Sequence, residues 1–231
     1  MNWAQKLPGK LKFEIEEQIM GTFIIFCAAE FDRLEAPIGA EDFVLAADGG
    51  LRHLDKLNIR PHGILGDFDS LGYIPTGAQV FPVEKDDTDA MLAARKGLEL
   101  GYREFLFYGA LDGPRLDHTV ANFQTLQFLS DRGAVGYLVG NSYMVTVMKN
   151  ETLAFGEGCG GILSAFCMGS DAEGVTIEGL YYGLENGRLS AGFPLGVSNH
   201  FTGKEAKITV RSGSLLVLWD RHNGFPTRKP L

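Results

Sequence analysis

The sequence predicts an α/β fold: an open, mostly parallel sheet flanked by helices, followed by a C-terminal all-β sandwich or barrel. Up to about residue 150, short apolar runs alternate with helical patterns, which is typical of parallel strands covered on both faces. After Asn150 the chain is rich in glycine and shows short alternating runs but no convincing helix. We therefore expect a domain at 21–148 and a β-sandwich domain at 149–231, preceded by an N-terminal extension at 1–20.

The strands of the first domain are predicted from uninterrupted apolar runs of five or so residues. The second run ends in Asp48-Gly49-Gly50, and the third leads into Gly66-Asp67. The predicted strands lie at 22–27, 43–47, 62–65, 105–108 and 135–139.

Helices are predicted between these strands from apolar spacing and from residues that favour helix ends. One helix covers 51–57 and is closed by Asn58. Another is capped by Thr88 or Asp87 and runs to about Leu100, with Gly101 just beyond it. A third covers about 118–130. Its predicted buried side consists of Val120, Phe123, Leu126 and Leu129.

Strands of the second domain are predicted at 174–178, 206–210 and 215–219, where polar and apolar residues alternate or a short apolar run closes the pattern. Glu185-Asn186-Gly187-Arg188 favours a tight turn between two strands.

The composition, with 45% apolar and 22% charged residues, is ordinary for a soluble fold and allows a globular enzyme. The net charge of −8 argues against a nucleic-acid binder, which normally presents a basic face. Three cysteines without a Cys-x-x-Cys pair argue against a disulfide framework or a zinc site. No apolar run is long enough to cross a bilayer, and the N-terminus lacks the apolar core of a signal peptide. We therefore expect a cytoplasmic protein that does not bind membranes.

The first functional signal is a pair of carboxylates, Asp67 and Asp69, placed directly after a strand, as Asp48 is. Phe68, which lies between them, is expected to turn toward the core. In an open parallel sheet, ligands bind outside the carboxyl ends of the strands. Carboxylate oxygens suit Mg²⁺, which usually arrives with substrate phosphates. The alternative is an ordinary turn in which Asp69 bonds its own backbone.

The second signal is Asp86-Asp87-Thr88-Asp89 at the start of a predicted helix. One acid there is explained by the helix dipole, but three repel one another unless a cation or solvent compensates. We therefore expect Asp89 to bind a metal, whereas Asp87 can serve as the cap.

The third signal is the loop at 109–118 between a strand and a helix. Such a loop and helix N-terminus can cradle phosphate, and Arg115 can add a bidentate charged contact. The alternative is a surface loop with Arg115 paired to Asp112 or Asp117. Asp48-Gly49-Gly50 fits the same pattern, because glycine lets a ligand approach the backbone. Together at one edge, these features favour a nucleotide site.

In their order and rough spacing, these motifs resemble those of thiamine pyrophosphokinases. The later Leu195-Gly196-Val197-Ser198-Asn199 is similar to the serine–asparagine motif of that family. The resemblance covers about residues 22–220. The motifs are Ala47-Asp48-Gly49-Gly50, Gly66-Asp67-Phe68-Asp69-Ser70, Asp86-Asp87-Thr88-Asp89 and Arg115-Leu116-Asp117-His118.

The resemblance implies that the pyrophosphoryl group of ATP is transferred to the hydroxyl of thiamine, giving thiamine diphosphate and AMP. It also implies a Mg²⁺-dependent homodimer with thiamine near the subunit contact. The acceptor of the hydroxyl proton would be Asp89 or Asp117. The implied metal ligands are Asp67, Asp69 and Asp89; the ATP contacts are Asp48, Gly49, Asp69, Ser70, Thr88 and Arg115; the catalytic residues are Asp89, Asp117 and Arg115; the thiamine contacts are Ser198 and Asn199.

The chain departs from the family pattern in two places. His200 stands where bacterial relatives commonly carry Glu, and the loop before Arg115 contains Leu111-Asp112 and Pro114 where Thr and Gly are usual. Two other functions stay open. A glycosyltransferase could bind a nucleotide sugar through Asp-x-Asp and a metal, and a non-catalytic sensor could bind a nucleotide through the altered loop.

Overall fold

The computed structural model of the protein describes residues 21–69, 71–82 and 86–231. Within these ranges, its first part consists of short strands interspersed with three α-helices, because the apolar runs of the sequence are separated by segments with helical spacing. The elements there are β1 (Thr22–Phe26), β2 (Phe43–Ala47), α1 (Leu51–Leu57), β3 (Gly63–Gly66), β4 (Gln79–Val80), α2 (Asp89–Glu99), β5 (Glu104–Tyr108), α3 (Leu116–Ser130) and β6 (Val135–Val139).

The remainder of the chain is built from strands, joined by turns in which glycine is frequent. These strands are β7 (Tyr143–Met148), β8 (Glu151–Phe155), β9 (Ile162–Cys167), β10 (Ala172–Glu178), β11 (Leu184–Leu189), β12 (Asn199–His200), β13 (Ala206–Val210), β14 (Leu215–Asp220) and β15 (Thr227–Pro230).

A ten-stranded sheet runs through the molecule in the order β12-β9-β14-β7-β6-β5-β1-β2-β3-β4. The strands from β6 to β4 are parallel, so their carboxyl ends lie along one edge. The strands from β7 to β12 are antiparallel and come from the later part of the chain. A second, five-stranded antiparallel sheet has the order β11-β10-β13-β8-β15.

Two apolar cores lie on opposite faces of the ten-stranded sheet, because successive side chains of a strand point to opposite faces. Phe23 and Ile25 of β1 belong to the core that α2 and α3 cover. Ile24 and Phe26 belong to the core shared with α1 and the five-stranded sheet. Trp219 is fully buried in the second core, and its indole donates to the carbonyl of Gly224 at 2.9 Å. The predicted fold class is therefore confirmed.

The predicted turn at 185–188 is wrong, since these residues lie inside β11. Asn186 does have a left-handed backbone, with φ of +43°, which is what made the sequence look like a turn. The register between β10 and β11 shifts at this point, so the extra residues form a bulge. Asn186 donates its backbone N–H to Thr176 Oγ1 at 3.1 Å and stays within the sheet.

The third helix also differs from its prediction. α3 begins at Leu116 rather than near His118, which places Asp117 in its first turn. Val120 is 49% exposed, whereas Leu126 and Leu129 are buried as predicted. The buried stripe is completed by two polar residues, Asn122 and Thr125, whose side chains donate to backbone carbonyls.

The predicted domain boundary falls between β7 and β8, which are joined through the left-handed Asn150. The ten-stranded sheet nevertheless contains strands from both sides of that boundary. The division at 148/149 stays a prediction, and the predicted extension at 1–20 lies outside the described residues. Within the described ranges, no helix is long and apolar enough to span a bilayer.

Candidate active site

The carboxylates that follow β2 and β3 converge at the carboxyl edge of the parallel strands. One carboxylate oxygen each from Asp48, Asp67 and Asp69 lies within 4.8 Å of the other two. Asp48 and Asp67 are half-buried, and Asp69 is exposed to solvent. A group of oxygen donors of this kind fits Mg²⁺, because that hard cation binds through a few carboxylates together with water and phosphate oxygens.

Close backbone contacts hold these strand ends together. A Cβ atom on Gly66, whose φ is +152°, would lie 2.9 Å from the Cα of Asp48. A Cβ atom on Gly50 would lie 1.8 Å from the carbonyl oxygen of Phe26 at the end of β1. Asp48 itself has a left-handed backbone, with φ of +46°. Backbone strain of this kind is retained where the surrounding structure over-determines it, often at functional sites.

The turn between Asp67 and Asp69 is fixed from both sides. Phe68 is only 3% exposed and inserts into the interior, as the sequence predicts, although its φ is +60°. The backbone N–H of Asp69 donates to Asp67 Oδ1 at 3.2 Å. The segment therefore forms the local turn and also contributes to the carboxylate group, so the two alternatives offered by the sequence do not exclude each other. Ser70, a predicted ATP contact, lies outside the described residues.

The second acidic cluster begins α2. Thr88 is the N-cap, since its Oγ1 accepts from the backbone N–H of Met91 at 3.2 Å. Asp87 lies 3.3 Å from Arg95 Nε, so it pairs along the helix. Asp89 occupies the first turn.

Asp89 lies near the same edge of the sheet as Asp48, the edge at which the parallel strands end. Burial raises the pKa of the Cys27 thiol to about 12, with further contributions from the negative charges of Asp89 and Asp48. Cys27 follows β1, so both carboxylates act at the edge where β1 ends. Among the described residues, however, the compact group of oxygens contains Asp48 and does not contain Asp89. Its predicted role as a metal ligand stays a prediction.

The loop between β5 and α3 carries the third predicted feature. Arg115 forms a bidentate contact with Asp117, with Nε–Oδ1 at 2.9 Å and Nη2–Oδ2 at 2.6 Å. The hydrogen bond from Arg115 lowers the pKa of Asp117 to about 2. Both side chains are largely exposed, so this pair can open toward an anionic ligand at little cost.

This loop is held by hydrogen bonds from two polar residues of α3 for which no function was predicted from the sequence. Asn122 donates to the carbonyl of Ala110 at 2.7 Å, and Thr119 donates to that of Leu111 at 3.1 Å. The sequence could have indicated this role, because the two polar residues are three positions apart and so share a side of the helix that is otherwise expected to be apolar.

The predicted thiamine contacts lie at the far end of the ten-stranded sheet. Ser198 is exposed and left-handed, with φ of +57°, and its N–H donates to Ser164 Oγ at 2.9 Å. Asn199 is buried, and its side chain bonds the N–H and the carbonyl of Tyr182 at 2.9 and 2.7 Å. Asn199 therefore shapes the backbone next to Ser198, while its own predicted contact with thiamine stays a prediction.

Aromatic rings surround the residue that follows this motif. The His200 ring centre lies 5.4 Å from that of Tyr181 and 6.0 Å from that of Tyr182. All three side chains are exposed. The adjacent Tyr181-Tyr182 was visible in the sequence, but only the pairing of the two segments brings it beside His200.

Family models identify the chain. The model described as "Thiamin pyrophosphokinase, catalytic domain" matches residues 35–134, and that described as "Thiamin pyrophosphokinase, vitamin B1 binding domain" matches residues 146–215. The chain belongs to the thiamin pyrophosphokinase family. It is thus an enzyme of a transferase family that acts in thiamine diphosphate synthesis. A sequence search of curated proteins finds no match.

Solved thiamin pyrophosphokinase structures share this fold. The Bacillus subtilis enzyme superposes with a TM-score of 0.76 at 20% identity, covering 86% of this chain and 98% of its own. That of Geobacillus thermodenitrificans has a TM-score of 0.72 at 25% identity, with coverages of 86% and 96%. The enzyme of Candida albicans has a TM-score of 0.69 at 12% identity, with coverages of 86% and 88%.

The two thiamin pyrophosphokinase models divide the candidate site between them. The catalytic match spans the carboxylate group, the start of α2 and the loop that carries Arg115. The vitamin B1 match spans Ser198 and Asn199. The motif resemblance seen in the sequence is therefore confirmed as family membership.

Proposed function

We propose that the protein transfers the pyrophosphoryl group of ATP to the hydroxyl of thiamine, forming thiamine diphosphate and AMP. The observation that carries the proposal is the convergence of the Asp48, Asp67 and Asp69 carboxylates at the sheet edge of a thiamin pyrophosphokinase chain. In the reaction the alcohol oxygen bonds to the β-phosphorus, the bond from that phosphorus to the AMP oxygen breaks, and the alcohol loses its proton.

Asp48, Asp67 and Asp69 would hold Mg²⁺, with Asp89 nearby on the same edge. When bound, the metal supplies charge neutralisation at the phosphate oxygens. The contribution of these side chains is preorganisation, because the backbone contacts around Gly66 and Gly50 fix the strand ends before any ligand arrives.

Arg115 and the N-terminus of α3 would contact the phosphates. The guanidinium is exposed and already oriented by Asp117, so a phosphate oxygen can replace one of its two carboxylate bonds. Gly49 would line the nucleotide through its backbone and Thr88 through its hydroxyl. The Thr88 hydroxyl oxygen accepts the capping bond of α2, which leaves its hydroxyl proton available as a donor.

Asp89 is favoured over Asp117 as the acceptor of the hydroxyl proton. A general base works best when its pKa lies near the operating pH, and the contact with Arg115 lowers the pKa of Asp117 to about 2. Asp117 would instead orient Arg115.

Thiamine would bind next to Ser198, at a site that a second subunit would help to form.

Large exposed apolar side chains gather beside β12, which is the edge strand of the ten-stranded sheet. A cluster of this kind is typical of an interface between subunits. We therefore propose a homodimer formed through this patch, which we call the β12 patch. Its members are Ile162, Tyr181, Tyr182, Phe193, Leu195 and Val197, which are 40–66% exposed.

The proposal is tested with purified protein incubated with ATP, Mg²⁺ and thiamine, while AMP and thiamine diphosphate are measured separately. Equimolar formation of both products, abolished by chelation of the metal, is the expected result. Binding of ATP without either product would favour the sensor, and thermal stabilisation by nucleotide sugars but not by ATP with thiamine would favour the glycosyltransferase.

A further inference from the structure

Arg221 is a buried arginine whose side chain donates four hydrogen bonds and joins the end of β14 to the segment after β1. Its side chain is 2% exposed. Nε donates to Glu35 Oε2 at 2.7 Å, and Nη2 donates to the carbonyl of Arg33 at 2.8 Å. Nη1 donates to Asp32 Oδ1 and, at 2.9 Å, to the carbonyl of Gly140. The partners of this one side chain thus lie 81 to 189 positions before Arg221 in the sequence.

The segment that Arg221 holds is bonded in turn to the loop that carries Arg115. Near the start of that loop, the N–H of Ala29 donates to the carbonyl of Gly109 at 3.0 Å. Further along, Asn141 accepts from the N–H of Asp32 at 2.8 Å, and its own N–H donates to Asp112 Oδ2 at 2.6 Å.

These contacts leave little room for independent movement. A Cβ atom on Gly109 would lie 2.4 Å from the carbonyl oxygen of Ala29, and one on Gly140 would lie 2.7 Å from Asp112 Oδ2. Because the backbones of Gly109 and Ala29 are in contact, and the Asp112 carboxylate packs against the backbone of Gly140, a displacement of the segment after β1 is expected to displace the loop at 109–115 as well.

We propose that Arg221 is a positioning residue, which sets the place of the 109–115 loop, and so of Arg115, from the opposite end of the chain. The inference rests on the proposed nucleotide site, because Arg115 is assigned to phosphate there. This set of hydrogen bonds requires arginine at position 221, since only a guanidinium offers enough donors in a fixed plane to reach two carboxylates and two carbonyls together.

Arg228 provides a matched control. It also comes from the end of the chain, its side chain is 14% exposed, and it bonds Glu151 through two nitrogens. Its other partners are Thr146 Oγ1, the Tyr137 hydroxyl and the carbonyl of Val147. Arg228→Met therefore removes a comparable buried ion pair far from the 109–115 loop.

The test compares Arg221→Met, Arg221→Lys and Arg228→Met by amide hydrogen exchange and by binding of a non-hydrolysable ATP analogue with Mg²⁺. Arg221→Met is expected to raise exchange at 28–36 and 109–115 and to weaken nucleotide binding by about tenfold, the size of one charged hydrogen bond. KM for thiamine is expected to stay unchanged. Arg221→Lys should fall between wild type and Arg221→Met, and Arg228→Met should raise exchange only around β7, β8 and β15.

Unchanged exchange at 109–115 in Arg221→Met, or an equal change there in Arg228→Met, would overturn the inference. If Arg221→Met does not fold, Asp112→Ala tests the link that runs from Asp32 through Asn141 to the loop, because it removes the acceptor of the Asn141 N–H without leaving a buried charge. It should raise exchange at 109–115 while 28–36 stays protected, and no rise there would refute the link. Failure of the wild type to make thiamine diphosphate would remove the proposed function, whereas the exchange comparison would still decide the role of Arg221.

Discussion

Asp48 shows how one residue can gain a role from its neighbours. In the sequence it belongs to a glycine-rich segment that suits a nucleotide contact, some twenty residues before Asp67. In the structure its carboxylate joins those of Asp67 and Asp69, because β2 and β3 are adjacent parallel strands. Three carboxylates held together without a cation repel one another, which lowers the stability of the ligand-free protein.

Asp67→Asn is expected to lower kcat on the order of 10²-fold or more, as removal of a preorganised electrostatic group does, while the fold is retained. The melting temperature of the ligand-free protein should stay the same or rise, and the increase caused by ATP analogue with Mg²⁺ should be lost. Steady-state kinetics and thermal unfolding measure both effects. Asp55→Asn, an exposed carboxylate on α1, is the control, and a near-normal kcat in Asp67→Asn would contradict the metal site.

The Arg115–Asp117 pair gives a prediction for pH. The folded-state pKa of Asp117 is about 2, below its ordinary 3.8, so the pair stabilises the fold above about pH 4 and this stabilisation is lost as the pH falls toward 2. Carboxyl NMR should show Asp117 titrating near the lower value, and Arg115→Met should return it toward 3.8. An Asp117 pKa that is ordinary in the wild type would show that the pair does not persist in solution.

At the level of elements, α2 connects helix capping to the candidate site. Thr88 is the N-cap of the helix, and the next residue, Asp89, is the proposed proton acceptor. The capping hydrogen bond of Thr88 therefore fixes the first turn of α2, and with it the position of Asp89 at the sheet edge.

Thr88→Ala is expected to lower the free energy of unfolding by about 1 kcal/mol, because a backbone donor of the first turn loses its partner. It should also lower kcat, since Asp89 shifts with the fraying turn. Urea denaturation and kinetics measure the two effects. Thr88→Ser keeps the capping oxygen and should behave like wild type, and equal losses in both variants would show that the methyl group matters rather than the cap.

For the whole molecule, the main prediction is the proposed homodimer. The β12 patch exposes six large apolar side chains at one end of a ten-stranded sheet, beside the predicted thiamine contact at Ser198. Water contact of this apolar area is unfavourable, and a second copy would remove it.

Phe193→Asp combined with Leu195→Asp is expected to shift the protein from dimer to monomer in sedimentation velocity, because charged residues resist burial in an apolar contact. KM for thiamine should rise much more than KM for ATP. Tyr73→Asp with Ile74→Asp, at equally exposed positions before β4, should leave the dimer intact. A monomeric wild type, or a dimer unaffected by the first pair, would refute this interface.

The local pattern of the chain determined the parallel strands other than β4, the caps of α1 and α2, the buried Phe68 and the family motifs. These depend on spacing, turn preference and polarity within a few residues, and such information is present in any short window. Tertiary structure alone decided that Asn186 forms a bulge, that Val120 faces solvent, that the compact carboxylate group among the described residues contains Asp48 rather than Asp89, and that Arg221 reaches the segment after β1. Each of these depends on which strands become neighbours, because a contact across a sheet is set by strand order and not by distance along the chain.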